Sequence, residues 1–280
     1  MSALAAEQLR MFHDDGFVIV PGLFDHEETN LLREAVETDP NIQNNFFDRK
    51  DNQGLSTKLI SWNHPGNSTY GLAARSRRII DSMEEILGGE VYHYHSKLTA
   101  KEPHEGGSWE WHQDYGYWYH NGILQPLMAN VIVPLDRATK ENGCLEVLKG
   151  SHHMGRVDHD MTKGDQAWAD KQRMAWAEEE FERFFCEMEP GDGLFFHCNL
   201  LHRSAANLSP HRRWTLIFCY NAARNNPRLE HNHPFYTPLE KVDDQEVKKV
   251  GVRLSDGTVE DFRTKRVNPP GLQKFIQGDD

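Results

Sequence analysis

Three stretches in the first third of the chain carry apolar residues at helical spacing. Leu4, Leu9 and Phe12 share one side of residues 4–13, which predicts a short helix. "DHEETNLLREAVE" begins at Asp25 with Glu28 three residues on. That reciprocal pattern lets each side chain cap the other's backbone N–H, so a second helix opens there. "RRIIDSMEEILGG" (77–89) predicts a third, stopped by its two glycines. Between the first two, "GFVIVPGLF" (16–24) reads as a strand ending at a Pro-Gly turn.

The pattern changes near residue 90. "EVYHYHSKLTAKE", "MANVIVPLD", "GCLEVLKGSHH", "FFCEMEPGDGLFFH" and "RRWTLIFCYNAA" are short, β-branched or aromatic, and bounded by Gly, Pro or Asn. Helices followed by many short strands predict an antiparallel β core with helices packed outside, a double-sheet jelly roll. Residues 164–183 interrupt the strands as a charged helical insertion carrying Trp168, Met174, Trp176 and Phe181. Its place in the chain makes it a candidate lid. No repeat or linker divides the sequence. The expectation is one domain over 1–280, with helices to about 90, a jelly-roll core over about 91–222, and a weakly ordered extension over 223–280.

Composition narrows the function. The net charge of -12 argues against a nucleic-acid partner, which needs clustered Lys and Arg. It argues less strongly against an anionic membrane surface. No apolar run approaches the roughly 18 residues of a membrane span, and the start lacks the basic and apolar regions of a secretion signal. Cys144, Cys186, Cys198 and Cys219 form no C-x-x-C pair and sit in apolar strands, which predicts buried free thiols. A cytoplasmic protein acting on a small molecule, as a monomer or homodimer, is expected.

The chemistry concentrates in "GGSWEWHQDYGYWYHNG" (106–122). An extended chain sends residues i and i+2 to one face. His112 and Asp114 then point together, while Trp109, Trp111 and Gln113 point away. An imidazole and a carboxylate side by side are two thirds of the 2-His-1-carboxylate set that holds Fe(II) and leaves positions open. H-x-D alone is weak among 16 histidines. A second one, His13-Asp14-Asp15, falls at a helix end, where i and i+2 do not share a face. A distant histidine is needed, and "EPGDGLFFHCNLLHRSAANLSPHRRW" offers two. His202 follows the apolar strand; His197 lies inside it, where a core role is the simpler account. Arg213, at the head of "RWTLIFCYN", could grip a carboxylate with both guanidinium nitrogens. Arg212 is its rival on the opposite face.

With "WHQD", "NGCLEVLKGSH", "PGDGLFFH" and "HRSAANLSPHRRW" the chain resembles the phytanoyl-CoA dioxygenase family of Fe(II)/2-oxoglutarate oxygenases. The resemblance runs from "GFVIVPGLF" to "FCYNAA" and implies a double-stranded β-helix. It implies that His112, Asp114 and His202 bind Fe(II), that Arg213 clamps 2-oxoglutarate, and that Ser204 adds a hydrogen bond to it. Thr99 falls where ectoine-type hydroxylases place an asparagine touching 2-oxoglutarate, and Lys97 where they place a substrate-facing arginine. Asn130 is a further candidate lining residue. The implied chemistry couples O2 and decarboxylation of 2-oxoglutarate to hydroxylation of a C–H bond. Asp114 favours hydroxylation over halogenation, since relatives that bind a halide carry a small residue there.

For the substrate, alternation places Trp118 on the face of His112 and Asp114, with Tyr115, Tyr117 and Tyr119 opposite. Trp109, Tyr115 and Trp118 are candidate walls for a small apolar body or a quaternary ammonium. Trp111 and Tyr119 are expected to fill the barrel end. Lys97, His95, Asn121 and Arg203 could receive an anionic end. "RSRR" (75–78) reads as the solvated start of a helix rather than a phosphate site. A small zwitterion follows, with an organophosphonate such as 2-aminoethylphosphonate or its N-trimethyl form first. Ectoine-like, amino-acid, acyl and natural-product substrates are the alternatives. Two other classes also fit a jelly roll: a cupin-like binding protein, and a Zn hydrolase using the same three ligands. The first needs no ligand set with open sites, and the second leaves Arg213 and Ser204 without a reason.

Overall fold

The computed structural model describes residues 4–161 and 166–263. Its strands are β1 (Phe17–Val20), β2 (Phe47–Lys50), β3 (Ser56–Trp62), β4 (Val91–Lys101), β5 (Trp109–His112), β6 (Met128–Pro134), β7 (Leu145–Leu148), β8 (His159–Met161), β9 (Ala167–Ala169), β10 (Arg183–Cys186), β11 (Gly193–His197), β12 (His202–Ser204), β13 (Arg213–Ala222) and β14 (Phe262–Arg263). The large sheet runs β1-β11-β6-β13-β4-β3-β14, with β2 also on β3; the small sheet runs β10-β7-β12-β5. Every named strand pair is antiparallel. The two sheets share a core in which Ile132, Leu194 and Phe196 of the large sheet meet Val147 and Cys186 of the small one. This is the double-stranded β-helix expected from the strand pattern.

The helices α1 (Ala6–Asp15), α2 (His26–Thr38), α3 (Pro40–Gln43), α4 (Thr69–Arg75) and α5 (Arg77–Leu87) precede β4. They cover the far face of the large sheet, burying Phe12, Leu32, Ile80 and Met83 against Val131, Phe195 and Phe218. The capping box of α2 forms as expected: Glu28 N donates to Asp25 and Asp25 N donates to Glu28. Glu28 has a second task that its sequence neighbours do not announce. Both carboxylate oxygens accept from Arg78 at 2.8 Å. "RSRR" is therefore not a solvated helix start. Arg78 joins Glu28 and Asp244, and Arg75 donates to Asn67. Glu28→Ala leaves the Arg78 guanidinium beneath the helices short of its best-buried partner, and should cost about 3 kcal/mol. A urea melt in which the variant matches the parent would refute that.

The remaining helices are α6 (Asp114–Trp118), α7 (Lys171–Glu180) and α8 (Glu246–Val250). Helix α7 is shorter than the 164–183 insertion read from sequence, because β9 takes Ala167–Ala169. Residues 164 and 165 lie outside the described residues. Met174 and Ala177 of α7 pack on Trp111, Leu148 and Leu201, which project from the outer face of the small sheet. The four cysteines are buried free thiols. Among the described residues no helix is long and apolar enough to cross a membrane.

Candidate active site

The space between the sheets is a cavity whose floor is one face of β4 and β13. Register fixes which side chains meet there. Arg213 pairs with Lys101, Thr215 with Thr99, and Ile217 with Lys97. Period-2 alternation then turns Lys97, Thr99 and Lys101 to the same side. The small sheet supplies the opposite wall. His202 of β12 stands directly across from His112 of β5, and their rings approach to 4.1 Å between centroids.

Two departures from alternation build the site. Ser204 pairs with Trp109 while His202 pairs with His112. Two residue steps on β12 thus oppose three on β5, a bulge that resets the side-chain count. Trp109 consequently reaches the cavity along with His112, contrary to strict alternation, whereas Trp111 does turn outward. The strand then ends. Gln113 stays extended and Asp114 opens α6. From there spacing of three and four residues, not two, decides the shared face. Tyr117 and Trp118 accompany Asp114 into the cavity, and Tyr115 leaves it. The Tyr115 hydroxyl donates to the Ile123 carbonyl, so Tyr115 belongs to the packing behind the site. Gly116 is required here: a Cβ would lie 2.1 Å from the His159 ring.

His112, Asp114 and His202 are all buried, and one ligand atom from each lies within 4.8 Å of the other two. Both imidazoles are oriented by the backbone. His112 Nδ1–H donates to Glu110 O at 2.7 Å, and His202 Nδ1–H donates to Leu200 O at 2.8 Å. Each ring therefore presents Nε2 as a free lone pair. Burial holds both rings below the ordinary histidine pKa, which keeps them neutral and able to ligate. Burial alone would raise the Asp114 carboxyl. Lys97, His202, His112 and the Tyr117 hydroxyl outweigh it and bring the pKa down to about 2. Asp114 accepts from Asn130 Nδ2 at 2.7 Å and from the Tyr117 hydroxyl. Two neutral nitrogens and one held carboxylate are the donor set of a divalent transition metal with open positions.

Next to this cluster Arg213 is buried with its Nε unpartnered, and it forms no ion pair with a described residue. A buried guanidinium without a counterion is costly unless an anion completes it. Lys101 stands beside it, fully buried, with Nζ donating to Ser204 Oγ at 2.8 Å and to Ala205 O at 2.5 Å. Burial first, then Arg213, depresses the Lys101 pKa. Thr215 Oγ1, across the ladder from Thr99, is also buried without a partner. Together these residues form a cationic, hydrogen-bonding end of the cavity that suits a carboxylate. Lys101 went unread in the sequence, although it lies two residues past Thr99 on the same face.

Other expected residues divide. Lys97, Trp118 and Asn121 line the cavity. Asn130 does not; it braces Asp114 from below. Arg203 borders the cavity, but its guanidinium is committed to Glu146 and lies over the outward Trp111 ring. The alternation that turns His202 and Ser204 inward turns it out. Arg212 is held by Asp136 and Glu37. His197 packs near Phe12 and His152 and accepts from Asn199 N, as a core histidine would. The segment after 222, read as weakly ordered, returns to the site: His231, Asn232, His233 and Arg263 all line the cavity. No short motif announces them. Phe47 and Arg49 of β2 also line it.

Residues 12–215 match the profile of the family "Phytanoyl-CoA dioxygenase (PhyH)". The chain is 28% identical over 249 residues to L-proline trans-4-hydroxylase of Streptomyces griseoviridis, covering 82% of this chain and 92% of that one. It is 27% identical over 252 residues to ectoine dioxygenase of Bordetella parapertussis, covering 82% of each. In fold it matches EctD from S. alaskensis, solved with 2-oxoglutarate and 5-hydroxyectoine, with a TM-score of 0.70 at 22% identity over 86% of this chain and 88% of that one. A profile match over most of the chain, on a double-stranded β-helix, places the protein in the phytanoyl-CoA dioxygenase (PhyH) family of Fe(II)- and 2-oxoglutarate-dependent dioxygenases.

Proposed function

We propose that the protein hydroxylates a C–H bond of a small amino-acid-like acid, with Fe(II) held by His112, Asp114 and His202 and 2-oxoglutarate held by Arg213. The observation that carries the reading is the buried Arg213 guanidinium, without a counterion, beside a three-ligand cluster. Iron, when bound, supplies the redox chemistry that couples the decarboxylation of 2-oxoglutarate by O2, to succinate and CO2, with hydroxylation of the substrate. The chain's own residues do the positioning. Arg213 and Lys101 receive the far carboxylate of 2-oxoglutarate, and Ser204, Thr99 and Thr215 offer hydroxyls along its length. Asn130 and Tyr117 fix the Asp114 carboxylate. Trp118, Ile132 and Phe196 exclude water from the reacting space.

The named relatives act on proline and ectoine, and they favour the amino-acid-like alternative over the organophosphonate that headed the sequence-based expectations. The Zn-hydrolase reading leaves Arg213 unexplained, and a cupin-like binding protein has no need of a ligand set with open positions. The test is anaerobic titration of Fe(II) and 2-oxoglutarate, watched for their weak visible charge-transfer band. Absence of that band in the parent protein rejects the proposal. Chelation of the metal should abolish succinate formation, and added Fe(II), not Zn(II), should restore it.

The carboxylate braces have their own expected result. Asn130→Ala and Tyr117→Phe each remove one hydrogen bond from Asp114, and each should weaken Fe(II) binding by about 10- to 100-fold. Retention of full affinity in both variants would show that Asp114 needs no such support.

A further inference from the structure

The part of the cavity beyond the Arg213 end is also cationic, and its charges come from distant segments. Arg263 pairs with Ser61 across β14 and β3, and Ser61 pairs with Lys97 across β3 and β4. Lys97 and Arg263 therefore flank one residue in a single cross-strand row, with backbones roughly 10 Å apart at two strand spacings. Both line the cavity, and neither side chain forms a hydrogen bond or ion pair with a described residue, although Asp114 feels the Lys97 charge and Asp261 the Arg263 charge at longer range. Asp114 is the one carboxylate among the described lining residues, and the proposed iron accounts for it. A substrate ammonium would meet no counter-carboxylate here. Nor is the Trp118 face open to it, because Lys97 Nζ already lies over that ring at 5.7 Å. The cation–π role that the aromatic run predicted is filled by the protein's own lysine.

The third wall is a stack of imidazoles. His95 and His233 lie with ring centroids 4.6 Å apart and planes 27° apart, and His233 also packs on Tyr94. Both ring nitrogens of the buried His95, Nδ1 of His233 and Nε2 of His231 are without partners. Buried polar atoms left unpaired inside a cavity point to a ligand that pairs them. Burial lowers the pKa of His95 and His233, and brings His231 to about 4, so these rings are neutral near pH 7. They suit a neutral amide better than a charged group.

We propose that this end of the cavity takes a dianionic, amino-acid-like substrate whose nitrogen is uncharged, an N-acylated dicarboxylic acid, with its carboxylates drawn to Lys97 and Arg263 and its amide to the His95–His233 wall. This rests on the hydroxylase reading above and replaces the zwitterion expected from sequence. The C-terminal segment thereby becomes part of the specificity site.

The test uses the Fe(II)-loaded protein with 2-oxoglutarate, without oxygen, and N-acetyl-L-glutamate as the probe against L-proline, ectoine and L-glutamate. N-acetyl-L-glutamate should perturb the charge-transfer band at concentrations at least ~10-fold below the zwitterions L-proline and ectoine. With oxygen it should raise succinate formation above the uncoupled background. Arg263→Met should raise its half-saturation at least ~10-fold while the band with 2-oxoglutarate alone persists; Lys97→Met should raise it likewise, and Lys97→Arg should retain binding. Equal or tighter binding of L-proline, ectoine or L-glutamate, or unaltered probe binding in both Met variants, overturns the proposal. If the parent gives no band, the oxygenase reading fails by itself. Calorimetric titration of the same compounds then decides the charge preference independently.

Discussion

His202→Ala is expected to fold and to lose turnover by at least ~10³-fold, because a ligand lost from a three-ligand set removes the metal's contribution of several kcal/mol. His112→Ala should behave alike. The reason for expecting a folded protein is local. The His202 ring makes one hydrogen bond, to Leu200 O, and lines the cavity with Phe196 against its edge. Removing it also relieves the crowding of two imidazoles 4.1 Å apart. The informative control is His197→Asn, which alters the rival histidine without touching the cavity. Succinate formation and Fe(II) binding should survive in it and vanish in His202→Ala. Equal loss in both variants would mean that the metal assignment is wrong.

Arg213→Ala is the second large effect. A buried guanidinium bonded to a substrate carboxylate is worth about 3 kcal/mol when one partner is truncated, or ~10²-fold in affinity. The loss should fall on the KM for 2-oxoglutarate and leave Fe(II) binding intact. The free protein should not be weakened correspondingly, since Arg213 has no carboxylate partner to strand among the described residues. A thermal melt can therefore separate the two expectations. Higher KM with unchanged or raised stability fits a clamp awaiting its anion. Loss of stability with unchanged KM would make Arg213 a structural residue. Lys101→Met should add to the effect, because Lys101 shares that end of the cavity and binds Ser204.

Much of this architecture is written in local pattern. The capping box at Asp25, the glycines after Leu87, and the β-branched runs of β6 and β13 predict their elements because each depends on neighbours a few residues away. The pairing of His112 with a partner near "HRSAAN" was legible for a different reason: "NGCLEVLKGSH" and "PGDGLFFH" are specific enough to carry a family resemblance. Strands β2 and β3, by contrast, escape the sequence pattern, and the charged pattern of the insertion predicts helix throughout although β9 occupies part of it. Phe47–Lys50 and Ala167–Ala169 are strands through pairing with β3 and β8, not through any pattern of their own.

Local pattern is enough for the sandwich, the H-x-D pair and the arginine that follows the distant histidine. Each rests on periodicity or on chemistry held within one strand or one hairpin of the chain. Which aromatics share the cavity with His112, Asp114 and His202 depends on the tertiary fold, because a bulge in β5 and a helix opening at Asp114 each reset the count. That fold alone brought Arg263 and His233 to a wall shared with Lys97 and His95. Cross-strand register depends on hydrogen bonds between distant segments, Arg263 with Ser61 and Ser61 with Lys97, and no local spacing encodes it.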